Sequence, residues 1–199
     1  MTAQALNEPL SSTVEVRFHG RGGMGAVVAS HLLAQAAFLE GRWVQSFPFF
    51  GVERRGAPVT AFARVAQEPV EARTNVYEPH VVVVLDPSLL RGSAYLAGLR
   101  KGGVVIANGV TAAVPWEGPV YLADATSIAL AEGLGSRSVP LVNTAMVGAL
   151  AGATGLTTLP SVLRAIEILV PHKVAANQRA AERAFLTVRR ATMPEAAAR

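Results

Sequence analysis

The sequence predicts a single Rossmann-like α/β domain with a mainly parallel sheet, helices on both faces and a helical C-terminus. A strand-like run at residues 14–18 leads into a glycine cluster and then a helical segment. Residues 81–85 form an unbroken apolar run rich in valine, which is typical of a strand covered on both faces. Strand-like and helix-like segments alternate through the rest of the chain, as parallel sheets require. At 199 residues, the chain has the length of one well-cored domain.

The first half of the chain supplies three strands and one long helix. We expect a flexible arm at 1–12, a strand at 14–18, a helix at 24–40, a short strand at 43–46 and an alternating strand at 59–65. The domain itself spans residues 13–190.

The second half continues the alternation. Asp86 and Pro87 follow the strand at 81–85 as an N-cap and a first-turn proline, so we expect a βα unit there. Further predicted elements are strands at 104–108 and 120–122, a helix from Asp124 or Thr126 to Glu132, a small-residue helix at 143–151, helices at 161–170 and 174–190, and a flexible tail at 191–199.

The composition limits the possible functions. Half of the residues are hydrophobic, 16% are charged and the mean hydropathy is positive, so we infer that partners bury part of the surface. The absence of cysteine excludes disulfides, thiolate catalysis and Cys-ligated zinc or iron-sulfur clusters within this chain. The net charge is +4, but the arginines are scattered and no recognition motif is present, which argues against nucleic-acid binding.

The sequence shows no targeting or membrane segment that we can identify. The N-terminus lacks the basic start and apolar core of a secretory signal. The uncharged run at 138–163 is interrupted by prolines, glycines and Asn143, which are unfavourable in a membrane helix. We therefore expect a cytoplasmic protein.

A glycine loop follows the first predicted strand. Gly20, Gly22, Gly23 and Gly25 match the G-x-G-x-x-G pattern, in which helix N-terminal amides receive an anion. A dinucleotide site also needs an acid at the end of the second strand, where this chain has 45–47, Gln-Ser-Phe. Three interpretations stay open: close packing of strand, turn and helix; contact with a phosphate or a coenzyme A-type anion; and dinucleotide binding.

Residues 45–64 form the strongest candidate contact surface. Aromatic rings offer large apolar area there, and arginines offer forked donors to carboxylate, phosphate or backbone oxygens. The predicted interface residues are Phe47, Phe49, Phe50, Glu53, Arg54, Arg55 and Pro58.

No residue is predicted to be catalytic or to bind a metal. His19, His31, His80 and His172 lack metal-ligand spacing, and we interpret them as packed or exposed histidines. Asp86 is interpreted as a helix cap.

Five motifs occur in one order: HGRGGMG, SFPFFGVERRGAP, YEPHVVVVLDPSLL, DAT and NTAMVGALAGATGL. In these motifs the chain resembles the gamma subunit of 2-oxoacid:acceptor oxidoreductases, the pyruvate:ferredoxin oxidoreductase type. The resemblance covers about residues 13–190 and is most specific at 46–58. Met24 departs from the glutamine of many relatives.

The resemblance implies a complex that decarboxylates a 2-oxoacid to an acyl-CoA and CO2 with thiamine diphosphate, Mg2+, [4Fe-4S] clusters and coenzyme A. The expected partners are alpha, beta and delta-type subunits and an acceptor such as ferredoxin, or NAD through a flavin subunit. The cofactors lie in the other subunits of that family, so this chain is expected to have a structural, docking role. Two alternatives are a free-standing nucleotide-binding oxidoreductase that uses the glycine loop, and a regulatory or assembly module.

Overall fold

A computed structural model describes residues 13–49, 57–111 and 114–191 of the chain. The strands are β1 (Thr13–Arg21), β2 (Trp43–Pro48), β3 (Pro58–Ala66), β4 (Val81–Val84), β5 (Val104–Asn108), β6 (Val120–Ala123) and β7 (Arg189–Arg190). The α-helices are α1 (Ala26–Leu39), α2 (Ala125–Ala131), α3 (Asn143–Thr154), α4 (Leu159–Leu169) and α5 (Val174–Thr187), and two short 3-10 helices span Pro87–Arg91 and Ala94–Leu96.

The strands form one sheet in the order β2-β3-β1-β4-β5-β6-β7. The central strands β1, β4, β5 and β6 pair in parallel. β3 is antiparallel to both β1 and β2, so β2 runs in the same direction as β1 with β3 inserted between them. β7 pairs antiparallel with β6 at the other edge. These pairings confirm the mainly parallel α/β fold.

The main hydrophobic core lies between one face of the sheet and the α-helices. Val16, Val83 and Ile106 project from the sheet into this core and pack with helix residues such as Leu33 and Met146, all of them fully buried. All five α-helices of the described residues contribute to this core. Their small residues allow close approach: α3 and α5 pack so tightly that Gly148 lies against the backbone of Ala181.

The opposite face of the sheet has a thinner cover. Tyr95 and Leu99, from the irregular connection between β4 and β5, pack on Val82, Val84 and Val105. Both 3-10 helices lie in this connection, so helical segments do occupy both faces.

The prediction of an α-helix directly after Asp86 and Pro87 is wrong. Asp86 does cap a helix, since its Oδ1 accepts the Ser88 N–H at 2.9 Å, but the helix is a 3-10 helix, Pro87–Arg91. Gly92, in an extended conformation, ends it after five residues, which leaves too little chain for stable α-helical turns.

Two further predictions concern the chain ends. The last helix ends at Thr187 rather than at 190, because Arg189 and Arg190 pair with β6. The predicted arm at 1–12 and all but the first residue of the tail at 191–199 lie outside the described residues. Among the helices of the described residues, none combines the length and hydrophobicity needed to span a bilayer.

Candidate functional site

The glycine loop and residues 57–58 of the 45–64 segment meet at the edge of the sheet where the parallel strands end. The parallel strands β1, β4, β5 and β6 all end at this edge, which is where α/β proteins usually bind ligands. Arg21 lies opposite Pro58 in the β1–β3 ladder, and the Gly22 N–H donates to the Ala57 carbonyl at 2.9 Å. Two features separated by more than thirty residues of sequence are therefore neighbours.

The glycines of the loop serve close packing. A Cβ at Gly20 would lie 3.3 Å from the Cβ of Ala26, and one at Gly25 would lie 2.5 Å from the Asn143 side-chain nitrogen. Gly25 also precedes α1 with a φ of 81°, in the left-handed region that favours glycine. These contacts support the packing interpretation for Gly20 and Gly25.

Beside the loop lies a cleft of about 640 Å³ at the N-terminal end of α1. One wall is the glycine loop with the first turn of α1, a second is the 134–141 loop, and the third is the connection between α4 and α5. Most of the lining is apolar, including Val28, Leu134, Leu141 and Leu169. Such a cleft can hold an apolar body with a polar end.

The charges at the cleft are basic. Among the described residues, its charged or titratable lining consists of Arg21, His172 and Lys173, and no carboxylate lines it. Arg21 forms an ion pair with Asp86, which does not line the cleft; the Asp86 Oδ2 lies 2.6 Å from the Arg21 Nε. Asp86 offsets the charge of Arg21, so Lys173 and the positive end of the α1 dipole are the groups that favour an anion.

The sheet order explains why no ribose-binding acid follows the glycine loop. In dinucleotide-binding folds the strand after the first helix lies next to the first strand. Here β3 separates β2 from β1, which moves the end of β2 about two strand spacings, or about 10 Å, from the glycine loop. The adjacent parallel strand β4 is followed by Asp86, which is occupied by Arg21 and by capping.

An aromatic cluster lies on the sheet face opposite the α-helices. The ring centroids of Phe47 and Phe62 are 5.3 Å apart, and those of Phe49 and Phe62 are 6.3 Å apart in an edge-on arrangement. Phe62 is buried and Phe47 is partly buried, but Phe49 is 49% exposed. An exposed ring beside other aromatics is typical of a contact surface.

Arg64 packs against the Phe47 ring of this cluster. Its guanidinium lies 5.3 Å from the Phe47 ring centroid and is almost completely buried. Nε donates to Glu15 at 2.9 Å, Nη1 donates to Gln45, and the remaining donors reach the backbone carbonyls of residues 72, 74 and 75. The role of Arg64 has no signal in the sequence, because the burial and the partners of a single strand residue depend on the tertiary fold.

A second buried cation lies beside the cluster on β1. The Arg17 Nε donates to the Nε2 of His19 at 2.9 Å, and its Nη2 donates to the carbonyls of Tyr95 and Ala97. Burial lowers the pKa of Arg17. Burial, and secondarily the Arg17 charge, lowers the pKa of His19 to about 4, so His19 is a neutral acceptor at neutral pH.

The remaining predicted site residues have mixed outcomes. Phe50, Glu53, Arg54 and Arg55 lie outside the described residues. Pro58 is exposed at the start of β3. Within 13–49, 57–111 and 114–191, no group of three or more His, Asp or Glu side chains could hold a metal ion.

The fold and the two surfaces define a single-domain α/β protein with an anion-favouring cleft and an exposed aromatic face. The family model of pyruvate ferredoxin/flavodoxin oxidoreductase matches residues 15–187. The chain belongs to this family. The match confirms the resemblance to the gamma subunits of 2-oxoacid:acceptor oxidoreductases.

Named relatives agree with this family. The chain is 52% identical over 180 residues to the pyruvate/ketoisovalerate oxidoreductases common subunit gamma of Thermococcus kodakarensis, covering 86% of this chain and 95% of that one. It is 48% identical over 161 residues to pyruvate synthase subunit PorC of Methanothermobacter marburgensis, covering 81% and 89%. The crystal structure of pyruvate oxidoreductase subunit PORC from Thermotoga maritima superposes with a TM-score of 0.78 at 37% identity, over 92% of this chain and 100% of that one.

Proposed function

We propose that this chain is the gamma subunit of a 2-oxoacid:acceptor oxidoreductase and that its main role is to dock the catalytic subunits. The complex converts a 2-oxoacid to an acyl-CoA and CO2, with thiamine diphosphate, Mg2+ and [4Fe-4S] clusters in the alpha, beta and delta-type subunits. Electrons pass to ferredoxin or to another acceptor, such as NAD through a flavin subunit. The names of the relatives favour pyruvate or a branched-chain oxoacid over an aryl glyoxylate such as phenylglyoxylate.

The observation that carries this proposal is the aromatic face. Phe49 projects half-exposed from a cluster that Arg64 holds in place, next to the segment at 50–57 that carries Arg54 and Arg55. Rigid aromatic side chains and arginines are the residues that most often carry binding energy at protein interfaces. The absence of cysteine supports a docking role for this chain, because the cysteines that ligate the iron-sulfur clusters must then belong to other chains.

The docking role predicts the effect of removing the paired arginines. Arg54→Ala/Arg55→Ala should weaken assembly by about 2 kcal/mol or more, because interface arginines are frequent hot spots, while stability of the chain changes little. Assembly is measured by analytical ultracentrifugation of the reconstituted subunits, and stability by thermal unfolding of the chain.

The chain offers a matched control in a second pair of adjacent arginines. Arg189→Ala/Arg190→Ala removes the same charge from β7, which pairs with β6, and should leave assembly unchanged. Assembly that is insensitive to the Arg54/Arg55 pair, or equally sensitive to both pairs, would contradict docking through this segment.

A second candidate function concerns the cleft. We infer that it receives an anionic group of coenzyme A, supported by its basic lining, the α1 N-terminus and the absence of carboxylates among its described lining residues. The residues fit such a group at its polar end, and the apolar walls fit a less polar portion of the molecule.

The cleft proposal is tested with one position and two substitutions. Val28 lines the cleft, is 40% exposed and is the third residue of α1, where an acid does not harm the helix. Val28→Glu should weaken coenzyme A binding by the purified complex about tenfold relative to Val28→Gln, because only the glutamate repels the anion. Equal affinities of the two variants in calorimetric titration would contradict coenzyme A binding in this cleft.

The free-standing nucleotide-binding enzyme is the weaker alternative. The sheet order places no free acid beside the glycine loop among the described residues, since Asp86 is occupied. Saturable NAD binding by the isolated chain would restore this alternative.

A further inference from the structure

Arg17 carries a buried positive charge that no carboxylate of the described residues balances. The residue is only 8% exposed, and its Nε and Nη2 donate to the His19 ring and to two backbone carbonyls. His19 adds no negative charge, because burial and the Arg17 charge keep it neutral with a pKa of about 4. By contrast, the charge of the buried Arg64 is paired with Glu15. A buried cation without a counterion is costly, and burial accordingly lowers the pKa of Arg17.

One nitrogen of the Arg17 guanidinium is available to a group from outside this chain. Nη1 donates to no atom of the described residues. Across the same residues, the Tyr95 hydroxyl is the only side-chain nitrogen or oxygen that is both shielded from solvent and without a hydrogen-bond partner. The Arg17 Nη1 must therefore reach the protein surface.

The surface around Arg17 is aromatic. Arg17 lies directly opposite Phe62 in the β1–β3 ladder, so the two side chains project from the same face of the sheet. Phe62 contacts the rings of Phe47 and Phe49, and Phe49 is half-exposed. Within the described chain, this face thus presents an unbalanced cation bordered by apolar rings.

We propose that this aromatic face receives an acidic side chain of a partner subunit, whose carboxylate accepts a hydrogen bond from the Arg17 Nη1. Any apolar segment could cover the rings, but only an anion supplies the missing charge, which favours aspartate or glutamate at this point of the partner. The rings exclude water from the pair, so it contributes more than an exposed ion pair does. The inference rests on the proposed docking role, because it names the group that the docked subunit places on this face.

Assembly of the reconstituted complex tests the proposed ion pair. Arg17→Gln removes the charge and keeps an amide donor. It should weaken assembly at least about tenfold and make the dissociation constant less dependent on salt concentration, because an ion pair across the interface is lost. Arg17→Lys keeps the charge and should keep the salt dependence. Analytical ultracentrifugation at several salt concentrations measures both effects.

The controls separate the ion pair from a purely structural role and from docking in general. Arg183→Gln removes an exposed arginine from α5 and should change neither quantity. Unchanged assembly of Arg17→Gln, or weaker assembly with the salt dependence of the wild type, would overturn the ion pair. If Phe49→Ala weakens assembly and Arg17→Gln does not, the docking face stands without an acidic partner. No effect of either variant would count against the docking face itself.

Cryo-electron microscopy of the wild-type complex tests the pair without a variant that must fold. We expect a carboxylate oxygen of a partner subunit about 3 Å from the Arg17 Nη1. A carboxylate of this chain at that position, such as Glu53, or no carboxylate at all, would overturn the proposal.

Discussion

Arg64 uses its guanidinium donors within the protein and joins three parts of the chain. It links β1 through Glu15, β2 through Gln45, and the segment after β3 through the carbonyls of 72, 74 and 75. A buried arginine that donates to five acceptors fixes the relative positions of the segments that carry those acceptors. The neighbouring aromatic cluster is therefore preformed, which reduces the entropy lost when a partner binds.

Removal of Arg64 should be costly. We expect Arg64→Met to lower the free energy of unfolding by about 3 kcal/mol or more, because Glu15, Gln45 and three backbone carbonyls lose the buried guanidinium as their partner. Arg164→Met is the matched control, since Arg164 forms an exposed pair with Glu167 that should contribute less than about 1 kcal/mol. Urea denaturation compares the two variants, and equal losses would show that the Arg64 network is not a stabilising feature.

His19 makes stability depend on pH. Its pKa is lowered to about 4 by burial and by Arg17, whereas an unfolded histidine has a pKa of about 6.5. The unfolded state therefore binds the extra proton between these values, so the His19 contribution is complete above about pH 6.5 and is lost as the pH falls towards about 4.

This pH dependence gives a direct prediction. His19→Gln keeps an acceptor for the Arg17 Nε and removes the titration, so its urea midpoint should fall less than that of the wild type as the pH is lowered from about 6.5 to about 4. Parallel curves for the two proteins would show that His19 does not titrate differently in the folded state.

The sequence predicted residue roles unevenly. Asp86 and Asp124 were recognisable as helix caps, because a cap depends on local sequence, and both accept the predicted kind of backbone hydrogen bond. The roles of Arg17 and of Lys173, whose Nζ donates to the Gly133 carbonyl, were not recognisable, because their partners are about 80 and 40 residues away along the chain.

At the level of elements, the pair α3 and α5 shows how small residues create close packing. A Cβ at Gly148 would lie 2.8 Å from the Ala181 Cα and would contact the Ala181 carbonyl oxygen. A small-residue helix was predicted at 143–151, and α3 (Asn143–Thr154) confirms it.

Gly148→Ala should therefore destabilise the fold by about 1–3 kcal/mol through overpacking, despite the higher helix propensity of alanine. Gly92→Ala is the control, because Gly92 has a negative φ and no atom within 4 Å of an added Cβ. Chemical denaturation checks the pair. A stable Gly148→Ala variant would mean that α5 shifts away from α3 at little cost.

Elements with strong local signals were predicted well. The predicted strand at 104–108 coincides with β5, since glycines precede a short apolar run. The helix after β4 failed because an Asp-Pro cap marks a helix start but does not determine its type or length, and Gly92 follows too soon.

In the whole molecule, the glycine-loop cleft and the aromatic cluster lie near the edge of the sheet where the parallel strands end. Sequence alone predicted an α/β domain, but the position of β3 between β1 and β2 depends on strand pairing across the chain and had no local signal. That pairing brings the glycine loop to Ala57 and separates the end of β2 from the loop. The same topology thus explains both the neighbouring surfaces and the lack of a dinucleotide site of the usual kind.

The family membership and the exposed aromatic face together favour a chain that functions inside a complex. Large hydrophobic side chains such as Phe49 and Trp43 remain half-exposed along and beside β2. Packing against other subunits would remove the apolar surface of these side chains from water, as in obligate interfaces.

Native mass spectrometry of the complex that co-purifies with this chain tests the central claim most directly. We predict a fixed stoichiometry with cysteine-rich and thiamine diphosphate-binding subunits, together with 2-oxoacid- and coenzyme A-dependent reduction of an acceptor. A stable monomer without such partners would contradict the proposed role as a gamma subunit.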